Sequence, residues 1–210
     1  MTLRVAIAFL IVALAPVAWA QPFVGLALGS AKYNDACAGA ASSISCSSGD
    51  TTFRLFAGYR INPYLAFELG AATLGTMRAS TGESADLDAI DISALGSWPI
   101  GNRFAVHGRL GIFSGDMTAS PGGGPVPVPV TPVFPPAPPP PPQPPRVNWT
   151  SGNTVGGTYG FGASYAMTPN AILRLDWQRY EYFGGSDPYG SVGPATIGVD
   201  VVSIGVLLQF

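Results

Sequence analysis

The sequence predicts an all-β fold, an eight-stranded antiparallel up-and-down transmembrane β-barrel. Three observations support this prediction. Apolar residues alternate with small or polar residues in eight segments of the chain, which is the pattern of strands with two different faces. The connections between these segments alternate between short turns and longer loops. Only 10% of the residues are charged, against about 25% in soluble domains, as expected of an outer surface in contact with lipid.

The first twenty residues are expected to form a signal peptide. Arg4 provides a positive start, and Ala18-Trp19-Ala20 matches the small-x-small cleavage pattern. The apolar run between them, residues 5–15, is eleven residues long, whereas a transmembrane helix needs roughly 20. We therefore predict cleavage after Ala20 and a mature barrel domain over residues 21–210. An uncleaved N-terminal anchor is the alternative.

The charge and hydropathy of the remaining chain exclude two classes of protein. The formal net charge is −2, and removal of Arg4 makes the mature domain more acidic. A nucleic-acid partner is therefore not expected, because such domains are normally basic. Glycines and polar residues interrupt every later apolar stretch. A chain of this kind enters a membrane only as a closed barrel, which satisfies all backbone groups internally.

The strands follow from the alternation. They are predicted over residues 23–33, 52–61, 64–74, 87–98, 103–114, 156–167, 171–183 and 202–210. In the fifth segment, for example, Phe104, Val106 and Leu110 fall on one face, whereas His107 and Arg109 fall on the other. A soluble barrel would point its apolar face inward. Here the polar face is small and sparsely charged, which suits a narrow interior instead.

The connections predict the orientation. Short turn sequences follow strands two, four and six, namely Asn62-Pro63, Pro99-Ile100-Gly101-Asn102 and Thr168-Pro169-Asn170. The other connections are longer, from about a dozen to nearly forty residues. Short periplasmic turns and long extracellular loops are typical of outer-membrane barrels. We therefore expect the loops after strands one, three, five and seven to be long and extracellular.

The loop after strand five is rich in proline. Residues 121–145 contain fourteen prolines, including the unbroken run 138–142. Such a segment cannot pair in a sheet and favours extended polyproline II. It is predicted as an extracellular loop insertion over residues 121–146, serving either as a tolerated insertion or as a projecting binding arm.

Charged residues on the polar face are predicted to form an interior network. Three basic and three acidic residues nearly balance, with one histidine beside them: Arg54, Arg109, Arg174, Glu68, Asp91, Asp176 and His107. The side chains of an eight-stranded barrel just fill its interior, so these groups can satisfy one another. His107 is expected to be a hydrogen-bonded interior residue.

Aromatic residues are predicted to form girdles at both membrane interfaces. Tyr59, Trp98, Phe104, Tyr165 and Phe210 fall near the short-turn end. The second girdle is assigned to Tyr33, Phe113, Tyr180 and Tyr182.

Cys37 and Cys46 are the only cysteines, and we predict that they form a disulfide, as isolated pairs do in exported chains. A metal site is the alternative, but two thiolates are too few ligands. In the exported protein both thiols should resist labelling until a reductant is added. Labelling of both cysteines without reductant would contradict the prediction.

Three segments carry a family resemblance. They are Phe23-Val24-Gly25-Leu26-Ala27-Leu28-Gly29, Leu173-Arg174-Leu175-Asp176-Trp177-Gln178-Arg179-Tyr180 and Ile204-Gly205-Val206-Leu207-Leu208-Gln209-Phe210. With them the chain resembles the OmpA-like transmembrane domain family of small eight-stranded outer-membrane β-barrels.

The resemblance carries several expectations. It implies a bacterial outer-membrane location, surrounding lipid, and a terminal Phe210 that the barrel-assembly machinery reads. Glu68 and Arg174 match the family's inward acid and inward arginine. The carboxy-terminal peptidoglycan-binding domain of full-length relatives has no counterpart in this sequence, so cell-wall anchoring through it is not implied.

These observations predict a non-enzymatic protein without a cofactor. Its expected role is structural or surface-interacting, with loops over residues 34–50 and 116–152 available to an extracellular ligand. A small passive pore is the alternative, and a barrel that binds lipid or another ligand in its interior is a third hypothesis.

Overall fold

Eight antiparallel strands close into a barrel. The computed structural model describes residues 21–34, 45–47, 49–120, 152–182 and 198–210. The strands are β1 Gln21–Tyr33, β2 Gly49–Asn62, β3 Leu65–Arg78, β4 Ser84–Ile100, β5 Phe104–Ser120, β6 Gly152–Ala166, β7 Ala171–Tyr182 and β8 Gly198–Gln209. Each strand pairs with the next in sequence, and β8 pairs with β1. The predicted fold class is confirmed.

The two-residue period decides which side chains face the interior. In β5, Val106, Leu110 and Ile112 are exposed on the outer surface, whereas His107 and Arg109 are buried. The same alternation runs along the other strands, so the outer surface is mainly apolar. Within the described ranges, no helix has the length and apolar character to cross a membrane.

Several strands extend further toward the loop end than the sequence pattern predicts. β3 continues past a bulge near Gly75, whose φ is 95°, and β4 begins at Ser84. The connection between them is therefore only residues 79–83, and the prediction of a long second loop was wrong. Outward residues such as Asp86 and Asp88 resemble loop composition, but the pairing continues beyond the apolar band. β5 likewise extends to Ser120.

The opposite end of the barrel carries the three short turns. The Asn62 side-chain oxygen accepts hydrogen bonds from the backbone N–H groups of Tyr64 and Leu65, at 2.8 and 2.9 Å. Gly101 has a φ of 71°, a conformation that favours glycine. Thr168 Oγ1 accepts from the N–H of Ala171 at 3.0 Å. The turns were predicted correctly.

Inside the barrel, two apolar clusters lie on either side of a polar middle. The upper cluster, toward the loop end, contains Ala31, Tyr33, Ala72, Leu74, Met77, Ala79, Ala85, Leu87, Ala89, Phe113, Met117, Tyr180, Val199 and Val201. The lower cluster, toward the turn end, contains Phe23, Ala27, Phe56, Ala66, Leu95, Ile172 and Leu207. The interior is therefore layered as apolar, polar and apolar.

The prediction of aromatic girdles is correct at the turn end of the barrel only. Tyr59, Trp98, Phe104, Tyr165 and Phe210 all face outward near the turns.

The second girdle needs a correction. Tyr33, Phe113 and Tyr180 point inward and are buried. Residues an even number of positions apart face the same side of a strand, so Phe113 faces inward like Arg109, and Tyr180 faces inward like Arg174. The side chain of Tyr182 lies outside the described part. On the outer surface of β6 and β7, Tyr159 and Trp177 pack together, with ring centroids 6.0 Å apart.

A short segment carrying Cys46 pairs with the end of β3. Cys46 bridges Ala79, and the N–H of Ser47 donates to the carbonyl of Arg78 at 2.8 Å. Cys37 lies outside the described residues, as do residues 1–20 and 121–151, so the disulfide, the leader and the proline-rich loop remain predictions. Asp50 and Asp116, assigned to the contact loops, belong to β2 and β5.

Candidate functional site: a polar network inside the barrel

The structure brings the seven predicted interior polar residues into one connected network. They come from five strands: Arg54 from β2, Glu68 from β3, Asp91 from β4, His107 and Arg109 from β5, and Arg174 and Asp176 from β7. All seven are buried. Because each lies at an inward position of its strand, closure of the barrel directs them toward one another across the interior.

Glu68 is the centre of this network. Its Oε1 accepts hydrogen bonds from Arg54 Nη1 at 2.6 Å and from Arg109 Nη2 at 2.7 Å. Its Oε2 accepts from Arg174 Nη1 at 2.7 Å. One buried carboxylate therefore joins three guanidinium groups from three different strands.

Asp91 and Asp176 compensate the remaining positive charge. Arg54 Nη2 donates to both carboxylate oxygens of Asp91, at 2.8 and 3.0 Å. Arg174 Nη2 donates to Asp176 Oδ1 at 3.1 Å, and His107 Nε2 lies 2.6 Å from the same oxygen. The three guanidiniums and the three carboxylates balance in formal charge, as a buried ionic cluster requires.

Further polar residues complete the network and were not singled out from the sequence. Arg109 Nη1 donates to Gln178 Oε1 at 2.9 Å, and Gln178 Nε2 donates to Thr158 Oγ1 at 2.9 Å. Ser93 Oγ donates to Asp91 at 3.0 Å. The alternation places these residues on the inward face of their strands. Nothing in the sequence, however, shows that the uncharged residues hydrogen-bond to the charged ones.

The wall around the network is shaped to hold it. The guanidinium carbons of Arg54 and Arg174 lie 5.3 and 4.9 Å from the centroid of the Phe56 ring, within the range of cation–π contacts. On the other side, a Cβ at Gly70 would contact Arg54 and come within 2.6 Å of Asp91 Oδ2. Glycine therefore leaves room for this ion pair.

Apolar layers separate the network from both ends of the barrel. In the upper cluster, the Phe113 and Tyr180 rings meet edge to face with centroids 5.1 Å apart. In the lower cluster, Phe23 and Phe56 meet with centroids 6.5 Å apart. Below them, Arg60 Nη1 donates to Gln209 Oε1 at 2.8 Å. Buried side chains therefore lie at all three levels of the described interior.

The last strand lies between β7 and β1. The N–H of Gln209 donates to the carbonyl of Asn170 at 2.8 Å, and the N–H of Phe210 donates to that of Pro22 at 3.0 Å. The Phe210 side chain faces outward and is 70% exposed. The predicted assembly signal is therefore accessible on the outer surface at the turn end.

Comparison with known proteins identifies the family. The outer membrane protein beta-barrel domain matches residues 2–210. The chain belongs to this family. It is a bacterial outer-membrane β-barrel protein, and its outer surface lies in lipid. Among curated proteins, no sequence matches the chain.

Solved outer-membrane barrels share the fold. Neisserial surface protein A matches with a TM-score of 0.59 and 16% identity, covering 90% of this chain and 97% of that protein. Ail of Yersinia pestis, solved with the heparin analogue sucrose octasulfate, matches with a TM-score of 0.53 and 12% identity, covering 91% and 99%. OprG of Pseudomonas aeruginosa matches with a TM-score of 0.51 and 14% identity, covering 91% and 96%. At these identities the likeness concerns the fold alone.

Proposed function

We propose that this protein is a closed outer-membrane barrel that anchors extracellular loops and has a structural or surface-interaction role. The observation that carries the proposal is the buried, charge-balanced network between two apolar layers. Such an interior supports a fixed register of the strands and argues against passage of solutes. The proposal includes removal of residues 1–20 during export and recognition of Phe210 by the barrel-assembly machinery.

The filled interior also argues against the alternative of a passive pore. A water-filled path would have to separate Glu68 from at least one of its three arginines. Breaking a buried ion pair costs about 3–5 kcal/mol. The path would then cross the rings of Phe113 and Tyr180, which are at most 2% exposed. Conduction would therefore require disruption of the ionic network and also of the apolar layer above it.

The loop end of the barrel is suited to displaying a segment away from the lipid. β4 and β5 have 17 residues each, which corresponds to roughly 44 Å of height at a tilt of about 40°. The apolar band of such barrels is only about 25 Å tall. Above Ile90 and Ile112 the outward residues become polar, and the proline-rich segment begins immediately after β5.

The ligand class of one relative does not transfer to this chain. Ail was solved with a polyanionic heparin analogue. On β4 and β5 of this protein, Asp88 lies directly opposite Asp116, with Asp86 beside them. This acidic patch disfavours a polyanion at that position, so we propose a neutral or basic extracellular partner.

We expect no stepwise conductance from the purified protein in planar bilayers, because the network and both apolar layers block the interior. The same conductance measurement is made on the Gly70→Ala variant, in which the added methyl group disturbs the Arg54–Asp91 pair without removing a charge. Reproducible single-channel steps in the unmodified protein would contradict the anchor proposal and support the pore.

Deletion of residues 121–145 should leave the barrel folded and heat-modifiable on gels, because β5 and β6 pair without that segment. The control replaces the same residues with a glycine-serine linker of equal length. Protease added to intact cells should cut the unmodified loop and spare the turn at residues 101–103. Loss of folding in both variants would overturn the idea of a displayed segment.

A further inference from the structure

Two glycines on the lipid-facing surface have no packing reason to be glycine. At most inward glycines a Cβ would be too close to neighbours; at Gly162, for example, it would lie 2.7 Å from His107 Nε2. Gly96 and Gly108 face outward, and a Cβ at either would meet nothing within 4 Å. They are direct cross-strand partners on β4 and β5. Glycine weakens a strand and often marks a place where a ligand approaches closely.

The glycine pair forms the floor of a groove with aromatic walls. The groove has a volume of about 620 Å³, and Tyr64, Trp98, Val106 and Phe161 line it. The Tyr64 and Trp98 rings lie side by side, with centroids 6.4 Å apart. Ligand sites typically have volumes of roughly 300–1,000 Å³. The groove opens toward the membrane, so its occupant must come from the membrane.

A cation that has no carboxylate partner among the described residues lies at the turn end of the groove. Arg103, in the turn between β4 and β5, is exposed and makes no ion pair with any carboxylate among the described residues. It precedes Val106 by three residues, which corresponds to about 10 Å along the strand. A phosphate at Arg103 and an apolar tail at Gly108 therefore match the layout of one phospholipid.

We propose that the groove on β4 and β5 binds one acyl chain of a periplasmic-leaflet phospholipid whose phosphate contacts Arg103. The glycine pair lets the chain lie against the backbone, and the rings of Trp98 and Phe161 flank it. The leaflet assignment rests on the proposed orientation, with the short turns in the periplasm. The acyl chain replaces the missing side chains of Gly96 and Gly108.

Fluorescence of Trp98 tests the inference. In a Trp149→Phe, Trp177→Phe background, Trp98 is the remaining tryptophan of residues 21–210. The protein is reconstituted in vesicles of digalactosyldiacylglycerol, a bilayer lipid without a phosphate, that contain a minor fraction of acyl-brominated phosphatidylglycerol. We expect quenching to report a local enrichment of the brominated lipid of roughly tenfold over the bulk, the factor that one charge-assisted contact supplies.

Three variants separate the components of the site. Gly96→Leu with Gly108→Leu should fill the groove and abolish the excess quenching, and Arg103→Gln should lower the enrichment toward the bulk composition. Ala71→Leu adds apolar bulk at another outward position and should change nothing. Heat-modifiability on gels verifies that each variant is folded.

Several results would overturn the inference. Quenching that follows the bulk composition would mean that only exchanging boundary lipid is present. Disulfide cross-linking of a Gly96→Cys variant in native membranes would mean that a second copy covers the groove. Protease cleavage at residues 101–103 from outside the cell would instead refute the proposed orientation, and lipid binding would then concern the other leaflet.

Discussion

Glu68→Ala is expected to lower the free energy of unfolding by about 3–5 kcal/mol, because removal of one partner leaves buried charges without compensation. Glu68 accepts hydrogen bonds from Arg54, Arg109 and Arg174, at 2.6, 2.7 and 2.7 Å. Without its carboxylate, three guanidiniums share Asp91 and Asp176. Arg109 is affected most, since its closest remaining carboxylate contact is 4.0 Å long, to Asp91.

The measurement is urea-induced unfolding in lipid vesicles, followed by loss of heat-modifiability. Glu68→Gln keeps the shape of the side chain and one acceptor oxygen, so we expect a smaller loss of unfolding free energy. This variant keeps the comparison informative if Glu68→Ala does not fold. Glu181→Ala is the matched control. Glu181 pairs with Arg179 at 3.0 Å on the outer surface, where both side chains are about one-third exposed, and such pairs contribute roughly 0–1 kcal/mol. Equal losses at Glu68 and Glu181 would refute the central role of Glu68.

Gly29→Ala is expected to destabilise the closed barrel by about 1–3 kcal/mol or more, as overpacking in a rigid environment does. A Cβ at Gly29 would contact the backbone carbonyl oxygen of Val202 and lie 2.7 Å from the Ser203 Cβ. These atoms belong to β8, so the collision occurs at the seam between the first and last strands. Backbone atoms cannot move aside without opening that seam.

The folded fraction after dilution from urea into vesicles measures this effect. Gly108→Ala provides the control, since it adds the same methyl group to a strand where nothing lies within 4 Å. It should be neutral or stabilising by roughly 0.5–1 kcal/mol, because glycine in a strand is entropically costly. A folded fraction of Gly29→Ala equal to that of Gly108→Ala would contradict the steric argument.

Most of the fold was predictable because every strand of a barrel alternates inward and outward side chains with a period of two residues. The two-residue period assigned Arg54, Glu68 and Arg174 to the interior without any tertiary information. The rule fails where the wall leaves the lipid. There the outward residues of β4, such as Asp86 and Asp88, are polar, and the sequence reads as a loop although pairing continues to Ser84. The error in the second girdle was avoidable, since the parity of Tyr180 already placed it inside.

The contacts of the network were less predictable than its membership. Alternation shows that a side chain points inward but not at what height it meets the opposite wall. Glu68 binds Arg174 from 106 positions away in the sequence, and that pairing depends on the stagger of all strands between them. Gln178 and Thr158 were missed for the same reason, because their role depends on lying next to Arg109.

The distribution of charges along the chain makes part of the charge compensation local in sequence. Arg54, Glu68 and Asp91 lie on three consecutive strands, and Arg54 binds both carboxylates within 37 positions of sequence. The strands that carry these residues can therefore compensate their own charges without the rest of the wall. Arg174 and Asp176 likewise arrive as a pair on one strand, at 3.1 Å. Each half of the wall thus contains much of its own charge compensation, and the contact between Glu68 and Arg174 joins the two halves.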